Sequence, residues 1–264
     1  SSICWTNCVN PTKKELKDIS EKADIKLSEL TNVLDPEERP KVSDLENDSL
    51  IIVRAAFIEH DEISTTPVSI FISKNKHNII TISLKELDSI KKIKQLILSK
   101  KIDLHEKGMS FFTYRVLDEI LNTYCKIVDS IEERIDLIED HVIDKPHAVS
   151  AKHICSVKKT LIFFHRSLTA NREVISSIEK EYVANIDKKN IKRFRALYND
   201  ITQLIDIEGT YRDILTGTLD IYLSSVSNNL NQVMKTLTII ASFVLIPTLI
   251  SGIYGMNFSA TSPF

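Results

Sequence analysis

From residue 236 to residue 264 the chain contains no Asp, Glu, Lys or Arg. Charged residues make up 27% of the whole sequence, so the chain changes solvent at this point. The apolar stretch LTIIASFVLIPTLISGIYGMNF is 22 residues long; as an α-helix it extends ~33 Å at ~1.5 Å per residue. That matches the ~30 Å hydrocarbon slab of a bilayer. A buried helix of a water-soluble core is the competing explanation, but core helices of such length usually keep charges on some face, and a transmembrane helix is the expectation. Lys235 stands directly before the span and no Lys or Arg follows it. The positive-inside rule therefore puts the amino-terminal part on the cytoplasmic side. Nothing upstream resembles a signal peptide, which agrees with a bulk kept in the cytoplasm.

The 264 residues balance 34 basic against 36 acidic side chains, a formal charge of −2. Such a balance provides no basic field for nucleic acid and none of the acidic excess of a disordered chain. Cys4, Cys8, Cys125 and Cys155 are scattered, and free thiols in a reducing compartment are expected. His141, His147 and His153 recur at intervals of six rather than at the i, i+4 spacing of zinc ligands on a helix, so the histidines are expected to be surface or capping residues. With five glycines in all there is no phosphate-cradling loop. Acidic runs such as DSIEERIDLIED fall on the solvated face of a helix. No enzyme signature is present.

Three segments rich in β-branched residues, LIIVRAAFI, VSIFIS and NIITIS, read as an antiparallel meander. Before them, PTKKELKDISEKADI and LSELTNVL read as short helices entered through Thr12 and Ser28 caps, and SICWTN as a further strand. A helix over residues 84–99 closes a mixed α and β unit. From residue 111 the apolar positions recur at threes and fours, Val116, Ile120, Ile127, Ile131, Ile135 and Ile138 among them, so a long amphipathic helix is expected to about residue 143. Pro146 breaks it, and a second helix over residues 149–181 returns antiparallel. A third helix starts near Asp187 and keeps its period through Phe194, Ile201, Ile205, Leu219, Tyr222, Val226, Leu230 and Leu237. It is expected to run unbroken into the membrane. Gly209 and Gly217 interrupt it at a cost of only about 1 kcal/mol each.

The span is more polar than an anchor requires. Asn231, Gln232, Thr236, Thr238, Ser242, Thr248, Ser251 and Asn257 lie in or beside it. Helix packing and pore lining explain that pattern equally well, and the pair Ser251 and Gly255 by itself favours simple helix association.

A resemblance separates the two. The segment YRDILTGTLDIYLSSVSNNLNQVMKTLTIIASFVLIPTLISGIYGMNF resembles the stalk and first membrane helix of the CorA family of magnesium channels. Gly255, Met256 and Asn257 match the family's GMN signature, with Tyr254 before it and Phe258 after it. The likeness continues upstream through ERPKV at residues 38–42 and the helical hairpin. It implies an α+β cytoplasmic domain of α/β/α type, followed by a long helical hairpin and a stalk helix that continues into the membrane. The expected divisions are 1–100 for the cytoplasmic domain, 101–186 for the hairpin, 187–235 for the stalk, 236–258 for the first transmembrane helix and 259–264 for the outer loop. The resemblance also implies a second membrane helix and a following basic cluster, so the sequence is expected to be truncated after the first span.

For function the resemblance implies a homopentamer in the inner or plasma membrane, passing Mg²⁺ and also Co²⁺ or Ni²⁺ through a central pore. Asn257 would ring the outer mouth, with Gly255 and Met256 completing the filter. Its carboxamide oxygens would accept hydrogen bonds from the water shell of the ion, which suits Mg²⁺ because this ion dehydrates reluctantly. Asn231, Leu237, Ala241, Leu245, Thr248 and Gly252 would line the pore, Leu237 and Leu245 as hydrophobic constrictions that close by dewetting. The family's regulatory Mg²⁺ site uses two acidic positions that fall here on Asn32 and Ala196, neither of which supplies a carboxylate. Asp35, Glu37, Glu38 and Asp200 are the nearby candidates to substitute. A Zn²⁺ transporter of the same superfamily and a membrane-tethered scaffold without ion flux are the alternatives.

Overall fold

The computed structural model describes residues 3–23, 25–45, 48–59, 62–73, 77–99, 104–144, 151–181, 183 and 185–255. Met256, Asn257, His147 and the 259–264 segment lie outside them. The elements run β1 (Cys4–Val9), α1 (Lys13–Ala23), α2 (Leu27–Asn32), β2 (Lys41–Leu45), β3 (Asp48–Glu59), β4 (Glu62–Ser73), β5 (Asn78–Ser83), α3 (Asp88–Leu98), α4 (Leu104–Asp144), α5 (Ala151–Glu179) and α6 (Ile191–Gly255).

The five strands form one sheet in the order β1-β5-β4-β3-β2. β3, β4 and β5 are the expected antiparallel meander, and β1 joins β5 in parallel. β2 is an addition to the expectation. Only five residues long and only half-buried or exposed, it is an edge strand paired with the start of β3, and so lacks the apolar alternation that announces a strand. β4 begins six residues before VSIFIS and includes Pro67, a residue that normally argues against a strand interior. Here β5 pairs only from Val68 onward, so the missing N–H of Pro67 is not needed on that side.

Side chains alternate across the sheet and build two cores. Ile51, Val53 and Ala55 of β3, with Ile70, Ile72 and Ile79, face α3 and the long helices. Leu50, Ile52, Phe71, Ile80 and Ile82 face α1 and α2, where Leu16, Leu30 and Val33 complete a smaller core. Helices therefore cover both faces, in an α/β/α arrangement.

The expected Thr12 cap is present as a reciprocal box. The backbone N–H of Thr12 donates to Glu15 Oε2 at 2.7 Å, and the Glu15 N–H donates to Thr12 Oγ1 at 3.3 Å. Those contacts hold the Glu15 carboxyl below its usual range. The Ser28 cap is not formed. α2 starts at Leu27, so the cap is Lys26, two residues before Ser28, with no side-chain hydrogen bond, because burial of Ile25 and Leu30 sets the phase of the turn. α3 likewise starts at Asp88, four residues after its expected beginning.

α4 starts seven residues earlier than expected, but Gly108 at φ 82° breaks its helical path. It packs beside α5 and the first half of α6, burying Tyr124, Phe164, Leu168, Phe194 and Leu197 among them. The four cysteines are free, as expected. His165 of α5 stays partly exposed at the surface while its ring meets the fully buried Glu208 of α6, with Nδ1 and Oε2 2.7 Å apart.

α6 is one helix of 65 residues, about 98 Å long at ~1.5 Å per residue. Its buried residues end at Thr218. Beyond that point the apolar stripe continues, yet Leu230, Val233 and Leu237 are exposed. The second half of the helix therefore leaves the chain's own core.

Neighbouring phenylalanines on α5 separate core packing from surface. Phe164 is 1% exposed and meets Tyr124 edge to face at 5.1 Å, whereas Phe163 is 55% exposed. Phe164→Ala should lower unfolding stability by about 3–5 kcal/mol, and Phe163→Ala by well under 1 kcal/mol. Chemical denaturation of the two variants in detergent checks the contrast.

Candidate functional site

Only a helix can carry a lone segment through hydrocarbon, since every backbone polar group must find its partner within the segment. α6 is helical from Ile191 to Gly255 and meets this condition except at Pro247, and its terminal part is apolar enough to cross a membrane, with none of that stretch buried. At ~100° per residue, Leu237, Ala241, Leu245, Thr248, Gly252 and Gly255 fall within an arc of about 80°, and Asn231 lies about 40° beyond it. The candidate pore residues thus share one stripe of a continuous helix. Each of those described is exposed.

Four hydroxyls along the span are satisfied locally. Thr236, Thr238, Ser242 and Thr248 each donate to the carbonyl four residues back at 2.8–2.9 Å. They can therefore sit in an apolar surrounding without a partner from another helix. Pro247 has no N–H, which leaves the Phe243 carbonyl without its usual helical donor. At Gly252 and Gly255 nothing lies within 4 Å of where a Cβ would stand, so another chain has room to approach closely.

The candidate regulatory carboxylates fall in two places. Asp35, Glu37 and Glu38 lie on the loop between α2 and β2. Asp35 Oδ1 accepts the Glu37 N–H at 2.9 Å, and Glu38 is paired with Lys41 at 2.8 Å. Asp200 is exposed on α6, one turn beyond the exposed Ala196. Among the described residues no three His, Cys, Asp or Glu side chains form a group that could hold a metal ion. One chain alone does not assemble the set.

Asp200 instead belongs to an acid-rich seam where α4 packs on α6. Burial pushes the Asp118 carboxyl above its usual range, and the charges of Glu119 and Asp200 push it further against the pull of Arg115. Burial also raises the Cys125 thiol, with Asp129 and Asp200 adding to the effect. Lower in the seam Tyr211 is pushed up to about 12 by desolvation and by its hydrogen bond to Glu132, beside Asp129 and Asp136.

Sequence reasoning passes over a polar network centred on Arg54. Its guanidinium donates from Nη1 to the carbonyls of Pro36 and Glu38, each at 3.1 Å, and from Nη2 and Nε to Thr65 O and Oγ1 at 2.8 and 2.9 Å. Asn171 of α5 accepts the Arg54 N–H at 2.8 Å and donates to the Arg54 carbonyl at 2.8 Å. Tyr124 of α4 donates to the same carbonyl at 3.1 Å. The one visible signal is a cation in the middle of the apolar LIIVRAAFI. Nothing in the sequence around Asn171 points to it.

A mixed-sheet head, a pair of long antiparallel helices and a single helix that leaves them to end in a membrane-spanning stretch define an α+β membrane protein built on a stalk. The chain belongs to the CorA-like Mg2+ transporter protein family, whose model matches residues 1–262. It is 36% identical over 258 residues to the cobalt/magnesium transport protein CorA of Methanocaldococcus jannaschii, covering 97% of this chain and 80% of that protein. To the cobalt/magnesium transport protein CorA of Thermotoga maritima it is 32% identical over 231 residues, 87% of this chain and 65% of that one. The complete structure of the M. jannaschii CorA magnesium transporter superposes with a TM-score of 0.88 at 35% identity, covering 99% of this chain and 83% of that one.

The acid seam has a measurable consequence at Cys125. Removing a negative charge stabilises the thiolate, so Asp200→Asn should lower the thiol's pKa and speed its alkylation at neutral pH. The exposed Cys155 on α5 should alkylate at an unchanged rate. Maleimide labelling followed by peptide mapping measures both sites in one sample.

Proposed function

We propose that this chain is the pore-forming subunit of a homopentameric channel for Mg²⁺, with Co²⁺ and Ni²⁺ as further substrates. The observation that carries the reading is the stripe on α6. One unbroken helix leaves its own core after Thr218 and presents Leu237, Ala241, Leu245, Thr248 and Gly252 on one exposed face. Five such stripes facing an axis make a narrow, mostly apolar pore. The names of the M. jannaschii and T. maritima relatives, cobalt/magnesium transport proteins, support the same substrate class.

In this reading residues 1–100 form the cytoplasmic domain, 101–186 the hairpin, 187–235 the stalk and 236–258 the first of two membrane helices in the plasma or inner membrane. Asn257 rings the outer mouth, with Gly255 and Met256 shaping the filter. A hydrated ion exchanges hydrogen bonds with bulk water for hydrogen bonds to carboxamide oxygens, so it is recognised without losing its shell. A ring of neutral oxygens also releases the ion more readily than a ring of carboxylates. Leu237 and Leu245 close the path by dewetting, and Asn231 forms a polar ring at the cytoplasmic end. The membrane potential drives entry, favouring a divalent cation by about 4.6 kcal/mol per 100 mV.

Intracellular Mg²⁺ closes the channel in the same reading. Hard carboxylate oxygens suit this ion, and the candidates are Asp35, Glu37 and Asp200, drawn from adjoining subunits because one chain does not bring three together. Glu38, already paired with Lys41, is less available. Bound ions would neutralise carboxylates that otherwise repel, and so favour the closed pentamer.

Uptake into proteoliposomes by the full-length protein tests the reading. Mg²⁺ entry under an inside-negative potential should fall at least tenfold with Asn257→Ala and should exceed Zn²⁺ entry. Preferred Zn²⁺ entry would instead make the protein a zinc transporter. Absence of flux for both ions from an intact pentamer would leave a membrane-tethered scaffold.

A further inference from the structure

Arg54 occupies a gap in the sheet. β2 pairs with β3 only as far as Ile52, opposite Lys41. Arg54 therefore lies past the end of the ladder on that side, and its N–H and C=O, which a strand residue presents to one and the same edge, both face it. A buried peptide group without partners is costly. Asn171 fills the gap, its carboxamide accepting the Arg54 N–H and donating to the Arg54 carbonyl as a neighbouring strand would. Asn171 is 4% exposed and belongs to α5, so a helix of the hairpin takes the place of an edge strand. Tyr124 of α4 adds a third bond at the same carbonyl.

The side chain of this residue turns the other way. Its guanidinium gathers the carbonyls of Pro36 and Glu38 together with Thr65. Those two carbonyls bracket Glu37, and the Glu37 and Glu38 amides are themselves tied to Asp35. A planar fork with five donors can bridge three separate carbonyls in one geometry, which an ammonium cannot. Backbone and side chain of one residue thus fasten the 35–38 loop to both hairpin helices, and α5 in turn packs along α6.

We infer that Arg54 is a positioning residue that couples the 35–38 loop to α4 and α5, so that displacement of the loop is passed to the hairpin and to the stalk packed on it. The inference rests on the Mg²⁺-gating reading for its effect on flux, but the mechanical link stands on the hydrogen bonds alone. It assigns regulation to a residue that holds no ion.

Two readouts on the full-length protein test it. Hydrogen exchange in detergent follows the Glu37 and Glu38 amides in Asn171→Leu, a substitution on a different element. Faster exchange at these amides is expected, and unchanged exchange would overturn the link. Flux into proteoliposomes then compares wild type with Arg54→Met and Arg54→Lys under increasing Mg²⁺ on the cytoplasmic face. The half-inhibitory concentration should move roughly twofold to thirtyfold, with pentamer mass and uninhibited flux within error of wild type. Inhibition at the wild-type concentration in both variants would remove Arg54 from regulation. Wild type that Mg²⁺ does not inhibit would sink the gating reading, and the exchange result would still decide the link.

Discussion

A polypeptide that enters hydrocarbon has no water to satisfy its backbone, and the whole molecule is organised around that restriction. α6 answers it by remaining one helix from Ile191 to Gly255. The part buried in the chain's own core and the part exposed beyond Thr218 thus belong to one continuous helix. Four hydroxyls of the span follow the rule as well, those of Thr236, Thr238, Ser242 and Thr248 each donating to a carbonyl of the same helix. Pro247 is the local exception, and the carbonyl it leaves without a helical donor lies in the span itself.

A rod of this length is useful only if its base is held. The larger core does so by packing α6 against α5 and α4, with Phe194, Leu197 and Ile201 buried beside Leu168 and Val128. The sheet then supports the hairpin through apolar contacts from one face and through Arg54, whose backbone meets two helices while its side chain meets the loop. Apolar packing supplies most of the attraction. The polar network fixes register, because a hydrogen-bonded carboxamide tolerates far less sliding than a greasy contact does.

Much of this was legible from residue patterns. Apolar positions at threes and fours announced α4, α5 and α6 because burial on one face of a helix leaves a periodic trace. Thr12 announced α1 because capping is local. Other features were not legible. Ser28 had the chemistry of a cap, but with Ile25 and Leu30 buried the helix starts ahead of it, at Leu27. β2 was silent because an edge strand buries little, and Pro67 hid the first half of β4 although its missing donor falls where β5 has not begun. For the candidate site, the residues from Leu237 to Gly252 came from the family resemblance, and their spacing on one helix face agreed with it without deciding between pore lining and helix packing. The separation of Asp200 from Asp35, Glu37 and Glu38 was not, since no sequence spacing reports where a loop lies relative to a distant helix.

The sequence by itself determined the change of solvent at residue 236, the helical continuity through it and the polar and small residues along one stripe. All of these depend on composition and on a local repeat, which hold whatever the rest of the chain does. Only the tertiary structure decided that Asn171, 117 residues from Arg54, completes its hydrogen bonds, that Asp200 shares a seam with Asp118 and Cys125, and that burial of α6 stops at Thr218. Those are outcomes of packing between elements far apart in sequence. They follow from which buried polar groups could find partners once the apolar faces had closed.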